Sequence, residues 1–122
     1  MMKRTLTALT VAATMFASSA NAFDPADLQK LKDTGDCVVC DLEGAVLSDV
    51  NMVGARLNFT ILRGAVLTGL DMEGAELMGA NLMGAVLDGT NLMGAKLHYA
   101  KMMGTKLCNT TMPDGSVIYS GC

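Results

Sequence analysis

From residue 40 to residue 114 the chain tiles in fives without a gap: CDLEG AVLSD VNMVG ARLNF TILRG AVLTG LDMEG AELMG ANLMG AVLDG TNLMG AKLHY AKMMG TKLCN TTMPD. The middle residue of these 15 units is always Leu or Met. In order they are Leu42, Leu47, Met52, Leu57, Leu62, Leu67, Met72, Leu77, Leu82, Leu87, Leu92, Leu97, Met102, Leu107 and Met112. The first residue is Ala in eight units and Thr in four, and the last is Gly in ten. A step of five fits neither regular element. On a helix it rotates the side chain by about 500°, or about 140° net, so the leucines would scatter round the axis. On a strand an odd step alternates faces. The backbone must therefore turn once per unit to keep every middle residue inward. Gly at the unit's end suits a type II turn, which needs φ > 0.

A second period says how many turns close a circuit. Gly-Ala-Val-Leu recurs at 44–47, 64–67 and 84–87, 20 residues apart. Asn51, Asp71 and Asn91 keep that spacing, as do Arg56, Glu76 and Lys96. Four units make one coil, so the repeats predict a four-sided rod of nearly four coils. At the usual strand spacing of about 4.8 Å it is about 18 Å long. Leu and Met fill its axis as the predicted core, and Ala and Thr the smaller inner sites.

The pattern A-[N/D]-L-x-x, clearest in Ala80-Asn81-Leu82-Met83-Gly84, resembles the pentapeptide-repeat family. The resemblance implies an all-β fold, a right-handed quadrilateral β-helix. It also implies that the middle residue and the one two before it point inward while the other three point outward. The flanks Cys37-Val38-Val39-Cys40-Asp41-Leu42 and Thr111-Met112-Pro113-Asp114-Gly115, with the last Cys122, are similar to those of exported bacterial and cyanobacterial-type members. Val50 and Leu70 depart from the pattern, being bulky for a small inner site. A local widening of the coil is expected there.

A solenoid has to cover its ends. Residues 23–39 predict a short N-terminal capping helix and linker, with Asp24 as N-cap, Pro25 in the first turn, and Leu28 and Leu31 on one face. Residues 40–114 are the repeat rod and residues 115–122 a C-terminal tail. Residues 1–22 predict a signal peptide: Lys3 and Arg4 begin it, an apolar run follows, and Ala20-Asn21-Ala22 is an A-x-A cleavage site. The run is too short to span a bilayer, so no stable membrane insertion is expected and the protein is read as periplasmic or secreted.

Composition narrows the chemistry. Aromatic residues make up only 4% of the 122, so packing must rest on small and aliphatic side chains. The formal net charge is −3, which predicts no nucleic-acid footprint. A gyrase-type nucleic-acid mimic, as in some cytosolic family members, would need acidic ladders and cytosolic residence. One histidine excludes a multi-His metal site. No phosphate loop, paired-carboxylate site or Ser-His-Asp spacing appears, so no enzyme activity and no cofactor is expected.

The four cysteines allow three pairings. In a rod of this length the first and last coils are too far apart to bridge, which leaves Cys37–Cys40 and Cys108–Cys122. Cys37-x-x-Cys40 also admits a redox site or a metal site, although a thioredoxin-type motif needs a βαβ context. His98 with Met78, Met83, Met93 and Met103 admits a copper(I) reading, against one in which Met fills outward gaps. Counted modulo four units, Phe59, Met78, Met83, His98, Tyr99 and Met103 gather at one edge of the rod. That edge, rather than the ladder Val46/Val66/Val86, is the candidate site for self-association or a protein partner. The leading expectation is thus a non-catalytic exported structural or protein-interaction module, with small redox or copper-handling protein as the alternative.

Overall fold

A computed structural model describes residues 22–120 and Cys122. The leader reading lies, apart from Ala22, outside the described residues.

Helix α1, Pro25–Thr34, opens the fold. The Asp24 carboxylate accepts from the Ala26 N–H at 2.9 Å, Pro25 occupies the first turn where no N–H is needed, and Gly35 ends the helix at φ 71°. Leu31 is fully buried and Leu28 packs against the same core, so the helix lays its apolar side on the start of the repeats. Two further ties fix it: the Asp24 N–H donates to the Asp41 carbonyl at 3.0 Å, and the Asp27 carboxylate accepts from the Asp41 N–H at 2.8 Å.

Beyond Gly35 the chain returns alongside itself every 20 residues. Parallel bridges join Asp36 to Arg56, Arg56 to Glu76 and Glu76 to Lys96, and likewise Val46 to Val66 to Val86. Each bridge carries a pair of backbone bonds: the Leu77 N–H donates to the Lys96 carbonyl at 2.8 Å and the Lys96 N–H to the Ala75 carbonyl at 2.9 Å. Corners close within the unit, as where the Ala80 N–H reaches the Leu77 carbonyl at 3.1 Å across Gly79 at φ 68°. The left-handed residue at the third place of that turn makes it type II. The register begins one unit earlier than the sequence pattern suggests. Residues 35–39 already form a unit, with Cys37 at the inward middle place and Val39 at φ 63°.

From Val39 to Asn109 every fifth residue has positive φ except Asp49. Next to it stands Val50, directly beneath Leu70 in one inner column. Among the described residues no bridge joins Asn51 to Asp71, although Asp71 bridges Asn91 above. Two bulky side chains stack here where most units have Ala or Thr, and the ladder opens only at this step: the Gly54 N–H again reaches the Glu73 carbonyl at 2.9 Å.

The axis holds the large apolar side chains from Leu42 to Leu92, and each of these middle residues is buried. Leu97, Met102, Leu107 and Met112, read from the sequence as core, are only partly buried. They lie in the last coil, where nothing stacks on all four sides. The tail covers one side: β1 (Thr110–Thr111) pairs antiparallel with β2 (Val117–Ile118), turning through Gly115.

Three inner threonines are fully buried and satisfied. Thr90 and Thr110 donate their hydroxyls to the Leu67 and Leu87 carbonyls, each at 2.6 Å, and Thr60 donates to the Cys37 carbonyl. Each acceptor lies 23 residues back, in the preceding coil. A buried hydroxyl with a partner is tolerable where an unpaired one is not.

Candidate functional site

Each of the four sides takes its name from its first outward residue. The Asp36 face carries Asp36, Arg56, Glu76 and Lys96. The Asp41 face carries Asp41, Ile61, Asn81 and Lys101. The Val46 face ends in Lys106, and the Asn51 face carries Asn51, Asp71, Asn91 and Thr111. The last two residues of each unit form the corner that follows its face.

At the corner between the Asp36 and Asp41 faces stand Val39, Phe59, Gly79 and Tyr99, one above another. Val39, Phe59 and Tyr99 have φ near 60°, a conformation that costs an L-residue roughly 1–2 kcal/mol. All three are exposed, Val39 at 70% and Tyr99 at 88%. The Phe59 ring lies over Gly79, so a Cβ on residue 79 would meet its Cδ1 and Cε1 at 2.5 Å. Met78 and His98 belong to the same corner: their carbonyls accept from the Phe59 and Gly79 N–H groups, each at 2.8 Å.

Met83 and Met103 do not join this edge. Their carbonyls accept from Gly64 and Gly84, at 3.0 and 3.1 Å, so they sit at the next corner, beyond the Asp41 face. A shallow cleft of about 340 Å³ lies there, lined by Glu43, Arg63, Met83 and the glycines Gly44, Gly64 and Gly84. The six residues read as one edge therefore bracket a face. Phe59, Met78, His98 and Tyr99 stand on one side and Met83 and Met103 on the other, with exposed Ile61 between. The reason is geometric: the fourth residue of a unit turns into the corner that follows it, not the one before. Val39 was missed; its place one residue before Cys40, in step with Phe59 and Tyr99, was the available signal.

Polar side chains outside the corners serve the backbone. The Asp41, Asn51, Asp71, Asn81 and Asn91 carboxylate or amide oxygens accept from the N–H two residues on, at 3.0–3.2 Å. This explains the Asn/Asp place in the repeat: it satisfies a turn N–H that the ladder leaves free. Arg56 pairs with Asp36 at 3.1 Å and with Glu76 at 3.8 Å, and Arg63 with Glu43 at 3.3 Å.

Both disulfides are formed, Cys37–Cys40 with Cα atoms 5.3 Å apart and Cys108–Cys122 with Cα atoms 4.9 Å apart. Cys37 and Cys40 are 0% and 3% exposed, at the first corner beneath the helix. An incoming thiolate cannot reach such sulfurs. Among the described residues, no three His, Cys, Asp or Glu side chains converge on a metal-sized site. No described helix is long and apolar enough to cross a membrane.

A backbone that closes a circuit every 20 residues around an aliphatic axis defines a solenoid. The pentapeptide-repeat family model matches residues 40–77 and 75–112, in eight copies, and the chain belongs to the pentapeptide-repeat family. Membership implies a right-handed β-helix, and such proteins are typically non-enzymatic structural modules. Among solved structures the chain is similar to alr5209, a pentapeptide repeat protein from Nostoc PCC 7120, at 34% identity over 70% of this chain and 77% of that one, with a TM-score of 0.45. It is similar to HetL, a pentapeptide repeat protein involved in heterocyst differentiation regulation in Nostoc sp. strain PCC 7120, at 33% identity over 68% of this chain and 43% of that one, TM-score 0.26. It also resembles AT2G44920 of the Arabidopsis thaliana thylakoid lumen, at 23% identity over 74% and 73% of the two chains, TM-score 0.29. No curated protein matches the chain.

Proposed function

We propose that this protein is an exported, non-catalytic binding module: a rod of about four coils, capped by α1 and tied at both ends by disulfides, that engages a protein partner through its Asp41 face. One observation carries the reading. Large apolar side chains stand exposed at both corners of this face, Val39, Phe59 and Tyr99 at places where the repeat normally has Gly and Met103 on the far side, with exposed Ile61 between. Strained backbone that positions exposed apolar groups points to contact rather than to folding. The signal-peptide pattern and the two disulfides support life outside the cytosol.

The competing readings lack such support. A nucleic-acid mimic needs a continuous acidic column, whereas charges on the Asp36 face alternate and the Asn51 face alternates amide with acid. A redox function through Cys37–Cys40 needs an exposed sulfur. The test is affinity capture from the exported fraction with three baits: wild type, a Met83→Glu, Met103→Glu variant, and a Val46→Glu variant. A protein retained by wild type and Val46→Glu but lost by the methionine variant supports the reading. Equal capture by all three refutes this choice of face.

A further inference from the structure

The Asp36 face has a property the repeat pattern does not require. Its outward column reads Asp36, Arg56, Glu76, Lys96, and the bridges fix that order along the rod. The signs alternate: acid, base, acid, base. Such a column is self-complementary when a second copy faces it upside down. A two-fold axis through the midpoint between Arg56 and Glu76 sets each Arg56 against the partner's Glu76 and each Asp36 against the partner's Lys96. A side-by-side copy in the same direction would instead oppose like charges. The pairs within one chain do not exhaust these groups: Arg56 remains 54% and Asp36 41% exposed, and Lys96 makes no ion pair among the described residues.

A second observation falls on the same axis. The rotation reverses height but keeps each corner on its own side, so the corner that follows the face meets the same corner of the partner, inverted. Tyr99, in the last coil, thereby meets the partner's Val39, and Phe59 meets the partner's Gly79. Val39 is 70% exposed and, like Tyr99, left-handed at a corner where most units have Gly. Tyr suits such a contact, its ring covering an apolar side chain while its hydroxyl stays in water. Its left-handed backbone and 88% exposure hold the ring clear of its own chain.

We propose that the Asp36 face is an isologous interface with a second copy of this chain, antiparallel, held by the two charge pairings and by Tyr99 of each copy against the other's Val39. Isologous contact is the commonest way two identical chains close. One face of a four-coil rod is small beside the roughly 800 Å² per partner of a standard interface. The dimer is therefore weak, and it weakens further with salt. It shares the Tyr99 corner with the proposed use of the Asp41 face but not the Met83 and Met103 corner, so the two fail separately.

The experiment is sedimentation of wild type, Arg56→Glu and Glu76→Arg in low salt, each shown folded by circular dichroism. Wild type should dimerise, and each variant alone should be monomeric, because each opposes like charges at both central contacts. Mixing the two variants should restore a dimer. One chain then carries acids at both central positions and the other carries bases, so each central contact again joins opposite signs. Tyr99→Ser should weaken the wild-type dimer about tenfold, as loss of a central aromatic anchor does. Met83→Glu with Met103→Glu should leave it unchanged, and loss of the dimer there would move the interface to the Asp41 face. A wild type that stays monomeric near millimolar concentration would overturn the proposal. So would a mixture of the charge variants that fails to dimerise.

Discussion

At the residue scale, the corners separate what glycine does from what a side chain does. Tyr99 pays a left-handed penalty and buries little of its side chain against its own chain. Tyr99→Gly should therefore raise the melting temperature, by an amount equivalent to about 1 kcal/mol. A lower melting temperature would mean the ring is held by contacts that its exposure does not show. Gly79 is the opposite case. Gly79→Ala has to displace the Phe59 ring as well as adopt φ 68°, and should lower stability by about 1–2 kcal/mol. The same change in a Phe59→Ala background should cost less, because the steric part is gone. Asp114 links a residue to the pH response of the tail. Its carboxylate accepts from the hydroxyl and the N–H of Ser116, and these bonds hold its pKa below the ordinary 3.8. A depressed folded pKa gives stability that is complete above the unfolded value and lost as pH falls through the folded one. The β1–β2 hairpin should thus hold at neutral pH and loosen below about pH 3.8, and Asp114→Asn should remove that pH dependence. Hydrogen exchange at Gly115 and Ser116 would show it.

At the scale of the coil, burial falls off toward the C-terminal end. Leu82 has coils on both sides and is fully buried, whereas Leu107 has only one. Leu82→Ala should cost about 2–5 kcal/mol and Leu107→Ala clearly less, as read from thermal unfolding. Leu82→Asp should abolish folding, while Asn81→Asp keeps an oxygen for the Met83 N–H and should be tolerated. Equal losses at Leu82 and Leu107 would contradict the open end. The inward register was legible in the sequence because one residue type recurs at every fifth place, and the four-sidedness because identical tetrads recur every 20. Three things were not legible. The unit at Gly35–Val39 has Cys37 where the pattern has Leu or Met, so the register's true start was hidden. The tail's pairing with β1 rests on two residues on each strand, too few to give an alternation. The split of Met83 and Met103 from Tyr99 depends on which corner a fourth-place residue enters, and that is backbone geometry rather than spacing.

Across the molecule the ladder is continuous on each side except at one step. The Asn51–Asp71 step lacks the bridge its neighbours have, and Val50 beneath Leu70 supplies the reason. The amides of Met52 and Asp71 should exchange with solvent faster than those of Leu47 and Val66, which donate at 2.9 Å to their neighbouring coils. Leu70→Ala relieves the crowding and should slow exchange at Asp71, even though it removes buried apolar volume. Uniform protection along all four sides would show that the coils close there in solution. The break lies one coil from the Cys37–Cys40 corner, so the disulfide and α1 hold the first coil on the far side of the loosest joint.

The 20-residue return has a consequence for how such a chain can change length. A rod of this kind is quantised. Removing residues 60–79 deletes one whole storey and leaves every later side chain on the side of the building where it began. Removing a single unit, such as 65–69, turns everything downstream through a quarter revolution. Lys96 would leave the column of Arg56, Cys108 would swing to another wall, and Thr90 would lose the Leu67 carbonyl that lies 23 residues behind it. The longer deletion should therefore be the milder one. The inheritable step for this architecture is the coil rather than the pentad, and the tetrad Gly-Ala-Val-Leu, repeated at 44, 64 and 84, carries the imprint of that step.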